Sequence, residues 1–199
     1  MALALNKSSL KTQRDQLAMY RRYLPSLDLK RQQLFSALKD ARAKLEAARK
    51  EADALAESLE GLYPLLGSSL AARLDLGSLV RVRAVAIEEE NLVGARLPVA
   101  REVSIETAPY STLATPFWVD HLVESLRRMA ELKVLLEVSR VRVQRLEVAS
   151  RRITQRVNLF EKVLIPEAEK NIKRIRIFVS DEERAAVVRS KIAKQKPKR

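Results

Sequence analysis

Side chains that perform acid–base or nucleophilic chemistry are scarce in this chain. It has one histidine, His121, and no cysteine, which excludes disulfides and thiolate metal sites. His121 follows Asp120 at the predicted start of a helix, and consecutive helical residues do not face each other, so Asp120 cannot orient the imidazole. The sequence therefore predicts an exposed histidine and no catalytic residue.

Motifs for nucleotide or metal binding are also missing. Neither G-x-x-x-x-G-K-[ST] nor G-x-G-x-x-G, the glycine-rich patterns that cradle phosphates, occurs in the sequence. The acidic run Glu88–Glu90 could hold a cation only if its carboxylates converged, but alternate residues of a strand point to opposite faces. We predict a solvated strand end there, no cofactor and no metal site.

Positive charge is the strongest chemical feature of the chain. Lysine and arginine number 38 against 25 aspartates and glutamates, and residues 151–199 carry fifteen of these cations against six anions. Such a balance implies an acidic partner, which could be nucleic acid, a membrane surface or an electronegative protein cavity. No aromatic residues are interleaved with the basic ones as stacking platforms, which argues against a nucleic-acid binder without excluding one.

Long helices must position these charges, because the chain has only 4 glycines and 7 prolines. In the predicted N-terminal arm, residues 1–66, apolar residues alternate at spacings of three and four, the pattern of a coiled-coil seam. A second arm, residues 115–193, repeats the pattern, with Thr115 as N-cap and Pro116 in the first helical position. The predicted seam residues are Leu17, Leu34, Leu38, Leu45 and Leu55 of the first arm and Leu136, Val143, Leu146, Ile153 and Val157 of the second.

Two prolines lie inside these arms, and a basic tail follows the second. Pro25 and Pro166 each lack an N–H and clash with the preceding turn, so we predict a kink or local break at each. Residues 194–199 are predicted to be a disordered basic tail. No apolar run approaches the roughly 18 residues needed to cross a bilayer, and the start lacks the features of a secretory signal, so we predict a cytoplasmic protein without membrane insertion.

The middle of the chain, residues 67–114, changes period. Leu79–Ile87 alternates with a period near two, and Val99–Glu106 does so more weakly, which predicts a β-hairpin; Ser68–Leu74 gives a short helical signal. The predicted fold class is mainly α, a long antiparallel two-helix coiled coil with a small β-hairpin region in the middle of the chain. A parallel dimer of two chains would also bury the seam and stays open as an alternative.

Three segments resemble the D subunit of V-type and archaeal-type ATPases. Residues 156–166 match the pattern Arg-Val-Asn-x-x-Glu-x-Val-x-Ile-Pro, and the similarity continues through 171–176 and 181–191. Leu27–Leu34 is similar to the family's Leu-Leu-Lys-x-Lys-Arg-x-x-Leu segment, and Glu90–Pro98 gives a weaker third match. The segments follow the family's order and together span most of the chain.

The resemblance implies a rotor shaft rather than an enzyme. Members of this family have no catalytic site; they turn inside a head of catalytic A and B subunits and couple ATP hydrolysis or synthesis to ion translocation. Their further partners are the small F subunit of the central stalk and a membrane-side coupling subunit, which would make the chain cytoplasmic and peripheral to the membrane. The resemblance predicts contacts with acidic loops of the head at Arg151, Arg152, Arg156, Lys173, Arg174 and Arg176. The alternatives are a basic coiled-coil protein that binds nucleic acid and a homodimeric scaffold.

Overall fold

The computed structural model of the chain describes residues 4–62, 64, 77–110 and 115–195. Its elements are helix α1 (Lys7–Leu59), a 3-10 turn (Glu60–Leu62), strands β1 (Val80–Leu92) and β2 (Ala95–Thr107), helix α2 (Trp118–Leu159), a π-helical turn (Phe160–Leu164) and helix α3 (Ile165–Gln195). The prediction of a mainly helical chain with a β-hairpin in the middle is confirmed. The predicted helical signal at 68–74 and the boundaries at 66/67 and near 114 lie outside the described residues.

The chain divides into two compact units, each containing parts of both helical arms. Unit 1 comprises Met1–Gln32 and Arg151–Arg199, and unit 2 comprises Gln33–Ser150. Helices α1 and α2 therefore each contribute to both units, and the β-hairpin belongs to unit 2.

In unit 1, the first part of α1 packs antiparallel against α3 and the end of α2. Lys7 pairs with Glu183 at 2.7 Å, and Arg21 pairs with Glu169 at 2.6 Å, so partner numbers fall as α1 numbers rise. The hydrogen bond and charge of Glu183 raise the pKa of Lys7. Apolar burial lies between the helices, where Ile153, Val157, Ala168 and Ile175 are buried. The ion pairs are largely exposed, so this burial is the larger contribution to stability.

In unit 2, the second part of α1 packs antiparallel against α2. Arg42 pairs with Glu147 and Arg128 pairs with Glu51, each at 2.5 Å, which fixes the direction of the pairing. Small residues are buried along this seam, which lets the two helix backbones approach closely. The buried positions of the seam are Leu34, Leu38, Ala41, Ala52, Leu122, Ser125, Leu132, Val143, Leu146 and Ser150.

Helix α1 runs through Pro25 without interruption, so of the predicted kink or local break, the break is wrong. Pro25 lies on the exposed side of the helix. A proline in a helix interior removes one backbone hydrogen bond and crowds the preceding turn, and on an exposed face water can solvate the carbonyl that loses its partner. Leu24 and Leu27, on either side of the proline, are both half-buried.

Pro166 lies two residues after a π-helical turn, which interrupts the α-helical pattern between α2 and α3. The Ile165 N–H donates to the Phe160 carbonyl, five residues back, so the turn holds one residue more than an α-helical turn. The heptad positions of Leu146 and Ile153 would continue to Glu167 and Arg174. The buried residues are instead Ala168 and Ile175, one position later. The extra residue of the π-turn shifts the seam by one and keeps two charged side chains out of it.

The β-hairpin is longer than the predicted strands. Strands β1 and β2 have 13 residues each and pair antiparallel from Val80↔Thr107 to Leu92↔Ala95. Val93 and Gly94 form the two-residue turn with φ of 54° and 87°. Positive φ at both central residues is the geometry whose twist matches that of the paired strands. The Gly94 N–H donates to the Asn91 side-chain oxygen at 3.0 Å, which supports the turn.

Val93 is an unfavourable residue for this turn, since a β-branched side chain rarely adopts positive φ. We expect Val93→Asn to raise the free energy of unfolding of the hairpin by about 1 kcal/mol, because asparagine tolerates this conformation. Thermal unfolding and hydrogen exchange of the Gly94 amide measure the gain. The same change at Val82, an exposed strand residue without positive φ, should give none.

The base of the hairpin packs on the first turns of α2. Leu79, Trp118, Val119, Leu122 and Val123 form a buried cluster there, and the Ala108 N–H donates to the Leu79 carbonyl at 2.9 Å. Helix α2 begins at Trp118, two residues after the predicted first helical position, because the Val119 N–H bonds back to the Pro116 carbonyl in a preceding turn. The Tyr110 hydroxyl donates to the Asp120 carboxylate at 2.7 Å, which raises the pKa of Tyr110.

Candidate partner-binding surface

The six basic residues predicted to contact a partner all belong to unit 1. Arg151, Arg152 and Arg156 lie in the last turns of α2, and Lys173, Arg174 and Arg176 lie in α3. All six side chains are exposed. Within the residues that the structure describes, none of the six forms an ion pair, whereas Lys7, Arg21 and Arg31 of the same unit do. Their positive charge is therefore available to an external anion.

A shallow groove in unit 1 combines these cations with apolar surface. Lys173 and Arg176 line it together with Leu17, Ile172 and Ile177. Ile177 is largely exposed, and Glu169 at the same groove is paired with Arg21. A partner that covers this groove would bury apolar side chains at its centre and meet two unpaired cations.

Helix α3 extends beyond its pairing with α1. The last ion pair between the two helices is Lys7–Glu183, and every residue from Asp181 to Gln195 is exposed. Apolar residues in this segment are exposed with the rest, including Val187, Val188 and Ile192. The helix includes Lys194 and Gln195, so it extends into the predicted tail, and 196–199 lie outside the described residues. This end of α3 therefore presents both basic and apolar side chains to solvent.

The residues predicted to form the seam differ in burial. Leu34, Leu38, Val143, Leu146, Ile153 and Val157 are buried, and Leu17, Leu45, Leu55 and Leu136 are half-buried. Tyr20 and Phe160 extend the apolar contact in unit 1 with an edge-to-face pair whose ring centroids are 5.4 Å apart. The seam rigidifies the elements that carry the six cations.

The glutamates of the hairpin have partners that the sequence did not reveal. Glu88, Glu89 and Glu90 are exposed, as predicted for a strand end, yet each forms an ion pair. Glu88 pairs with Arg101 on the neighbouring strand, while Glu89 and Glu90 pair with Arg145 and Arg142 of α2. The sequence shows a run of carboxylates and two arginines at helical spacing, but it contains no short-range pattern that predicts their pairing.

The sole histidine and the acidic residues of the described segments form no metal-binding group. His121 is exposed at the start of α2. Residues 4–62, 77–110 and 115–195 contain no group of three or more His, Asp or Glu side chains placed to hold a metal ion. Among the described helices, none is both long and apolar enough to span a bilayer.

Comparison with known proteins decides the family. The sequence model of the family described as the D subunit of ATP synthase matches residues 9–195. The chain belongs to this family. Among curated relatives, the V-type ATP synthase D subunit of Borreliella burgdorferi is 35% identical over 192 residues, which cover 96% of this chain and 93% of the relative.

Further members of the D-subunit family give the same result. The V-type ATP synthase D subunit of Chlamydia pneumoniae is 33% identical, over 96% of this chain and 91% of its own length. That of Chlamydia felis is 34% identical, over 98% of this chain and 93% of its own length. Each match includes both helical arms and the hairpin, so the similarity to the family is not confined to a general coiled-coil pattern.

Proposed function

We propose that this chain is the central-stalk component, the rotor shaft, of a V-type rotary ATPase or ATP synthase. The observation that carries the proposal is the match to V-type ATP synthase D subunits along nearly the whole chain. Paired helices with exposed cations are suitable for such a role, since the shaft itself needs stiffness and a surface rather than catalytic groups. Nothing in the described residues favours a nucleic-acid-binding protein or a free-standing scaffold over this function.

The mechanism follows from differential binding. A head of catalytic A and B subunits offers several equivalent sites, and an asymmetric shaft contacts each site through a different face. A ligand shifts a conformational equilibrium only by its difference in affinity for the two states. The shaft biases each catalytic site toward a different state, and ATP hydrolysis turns the shaft to the next position. In the reverse direction, a shaft driven by ion flow changes the sites in sequence and forces ATP synthesis.

The exposed cations of unit 1 are suitable for contacts inside a moving bearing. A buried apolar interface would hold the shaft at one angle, whereas exposed ion pairs each contribute only about 0–1 kcal/mol and exchange readily. We propose that Arg151, Arg152 and Arg156 of α2 meet acidic loops of the head. The same kind of contact with acidic loops is proposed for Lys173, Arg174 and Arg176 of α3.

The remaining partners follow from the proposed function. The small F subunit of the central stalk and a membrane-side coupling subunit would bind unit 2, which carries the hairpin. The chain would then be cytoplasmic and would reach the membrane only through that coupling subunit.

Affinity purification from native membranes tests the proposal: two large nucleotide-binding subunits and a small partner should co-purify. Recovery of the chain alone, or with nucleic acid, would contradict it.

Charge reversal tests the head contacts directly. We expect the triple variant Lys173→Glu, Arg174→Glu, Arg176→Glu to bind the catalytic head at least about tenfold more weakly, since three attractions become repulsions. The defect should shrink as salt screens the exposed charges. Binding of the purified chain to the head at two salt concentrations measures both effects.

A matched control uses three exposed cations of unit 2. Lys44, Arg49 and Lys50 lie on α1, and their reversal changes the net charge of the chain by the same amount. The control variant should bind the head as the wild type does. Equal weakening by both triple variants would show that overall charge matters and that the assigned contacts are wrong.

A further inference from the structure

The β-hairpin of unit 2 is fixed to α2 at two separate places. Its base joins the buried cluster in which Leu79 packs with Trp118 and Val119. Its tip contacts α2 further along, at Arg142 and Arg145. The first attachment is termed the base clamp and the second the tip clamp.

The tip clamp combines ion pairs, carbonyl contacts and two buried residues, Leu97 and Pro98. Arg142 bonds to Glu90 at 2.7 Å and reaches the Pro98 carbonyl at 3.5 Å. Arg145 bonds to Glu89 at 3.1 Å and to the Arg96 carbonyl at 3.0 Å. Leu97, between the two carbonyls in sequence, is 0% exposed. Each arginine therefore links both strands of the hairpin to the helix.

Between the clamps, the hairpin has exposed and half-buried residues but no buried one. On β1, Val82 is 43% exposed and Ile87 is 55% exposed. The strand pairing shifts register between Val82 and Ala84 and again between Ala86 and Ile87, so this stretch also contains the irregularities of the sheet. The buried residues of the hairpin lie at its ends, and its middle contains only exposed and half-buried residues.

The distance between the two clamps along α2 is close to the extended length of the hairpin between them. From Trp118 to Arg142, α2 rises about 36 Å at 1.5 Å per residue. From Thr107 to Leu97, β2 spans about 34 Å at about 3.4 Å per residue. Because these lengths agree, the hairpin runs between the clamps nearly fully extended. An extended strand pair cannot lengthen without breaking hydrogen bonds, so it resists any bending of α2 that moves the clamps apart.

We propose that the hairpin is a brace that stiffens α2 between Val123 and Arg142, and that its tip clamp can open while its base clamp stays closed. The clamps differ in kind: the base is an apolar cluster of five residues, whereas the tip depends on Leu97, Pro98 and partly exposed ion pairs. Partly exposed ion pairs are weak and screened by salt, so the tip opens first. If the chain is a rotor shaft as proposed above, the closed brace would reduce the elastic twisting of unit 2 while the shaft transmits torque.

Hydrogen exchange on the full-length chain tests the brace without reference to its function. Leu97→Ala should speed exchange of the backbone amides in 88–97 by about tenfold or more, because the clamp loses a buried side chain. Ile87→Ala, on the same hairpin but exposed, should change them less than about threefold. Amides at the base, 80–82 and 105–107, should keep their wild-type rates in both variants. In Leu97→Ala, amides of α2 in 124–141 should also exchange faster, since the brace no longer supports them.

Charge exchange separates the ion pairs from a general loss of folding. Arg142→Glu with Arg145→Glu should open the tip, as should Glu89→Arg with Glu90→Arg. Combining all four changes should bring the tip amides back toward the wild-type rate. Glu88→Lys is the control, because Glu88 pairs with Arg101 within the hairpin and touches neither clamp arginine.

Two results would overturn the proposal. If hydrogen exchange in Leu97→Ala becomes faster at the base amides as well as at the tip amides, the hairpin has one attachment and not two. If the tip amides accelerate but those in 124–141 do not, the hairpin does not brace the helix. Coupling is measured separately, as ions transported per ATP in assembled complexes with Leu97→Ala, where we expect a lower ratio than with Ile87→Ala. A chain that never enters such a complex would contradict the proposed function and leave the exchange result standing.

Discussion

Deleting Lys170 is expected to separate the helices of unit 1, whereas deleting Lys162 is expected to leave them paired. Both changes remove one lysine from neighbouring turns, so their charge and length are matched. They differ in position relative to the π-turn: Lys162 lies inside it, and Lys170 lies beyond it in α3. The comparison therefore isolates the one extra residue that the π-turn holds.

The expected difference follows from helix geometry. Removing Lys170 rotates the rest of α3 by about 100° relative to the seam, so Arg176 would take the place of the fully buried Ile175. Losing that burial and placing a guanidinium there costs about 4 kcal/mol or more. Removing Lys162 converts the π-turn to a regular α-turn and keeps Ala168 and Ile175 in the seam.

Pro166 must be considered in the second deletion. Once the π-turn is gone, its ring meets the carbonyl four residues earlier, an arrangement that costs about 3 kcal/mol in a helix interior. The deletion of Lys162 is therefore best combined with Pro166→Ala. We expect this double variant to lose less than about 1.5 kcal/mol of unfolding free energy relative to the wild type.

Urea unfolding and thiol cross-linking give the measurement. The chain has no cysteine, so a cysteine pair at Gln13 and Asn171, whose side-chain ends approach to 3.5 Å, can be introduced without competing thiols. A short bifunctional thiol reagent should cross-link this pair in the wild-type background and in the Lys162 deletion, but not in the Lys170 deletion. Equal loss in both deletions would mean that the π-turn is not an inserted residue in the seam.

The seam and the hairpin were predictable because each has a local signature in the sequence. Leu34, Leu38 and Leu45 repeat at coiled-coil spacing; Leu34 and Leu38 are buried, and Leu45 is half-buried. The alternation from Leu79 to Ile87 likewise indicated a strand, and the hairpin follows from two such stretches separated by a turn. Periodicity reports which face is apolar, and burial of that face is the dominant driving force in folding.

The π-turn was only partly predictable. Its signal was present, since Glu167 and Arg174 occupy heptad positions while Ala168 and Ile175 follow them, but heptad counting alone does not say how the chain absorbs the shift. Pro166 predicted a disturbance and not its form. Pro25 illustrates the opposite outcome, because a proline on an exposed face left α1 continuous.

Contacts between distant segments were the least predictable part. The pairing of Glu89 and Glu90 with Arg145 and Arg142 depends on how a hairpin lies along a helix, and a chain with 38 cations offers many equivalent partners to any carboxylate. The partner contacts of the candidate surface were unpredictable for a similar reason. Exposure of Lys173 and Arg176 could be expected from their place outside the heptad positions, but a single chain does not define the surface that meets them.

Leu146→Asp is expected to unfold the helix pairing of unit 2, while Val148→Asp is expected to be tolerated. Leu146 is 0% exposed and lies between α2 and α1, so the substitution removes a large apolar side chain and places a carboxylate among apolar neighbours. We expect a loss of about 4 kcal/mol or more of unfolding free energy. Val148 is 43% exposed on the same helix, and its replacement should cost less than about 1 kcal/mol.

Circular dichroism during urea titration measures both variants, and their pH dependence supplies a second criterion. A buried aspartate is more stable protonated, so the Leu146→Asp protein should recover part of its stability as the pH falls below about 5. The Val148→Asp protein should show no such recovery, because its carboxylate stays in water. Equal stability of the two variants at neutral pH would show that the seam does not hold unit 2 together. A shaft must carry torque through packed side chains, so a seam that tolerated a charge at Leu146 would be too loosely packed for the proposed function.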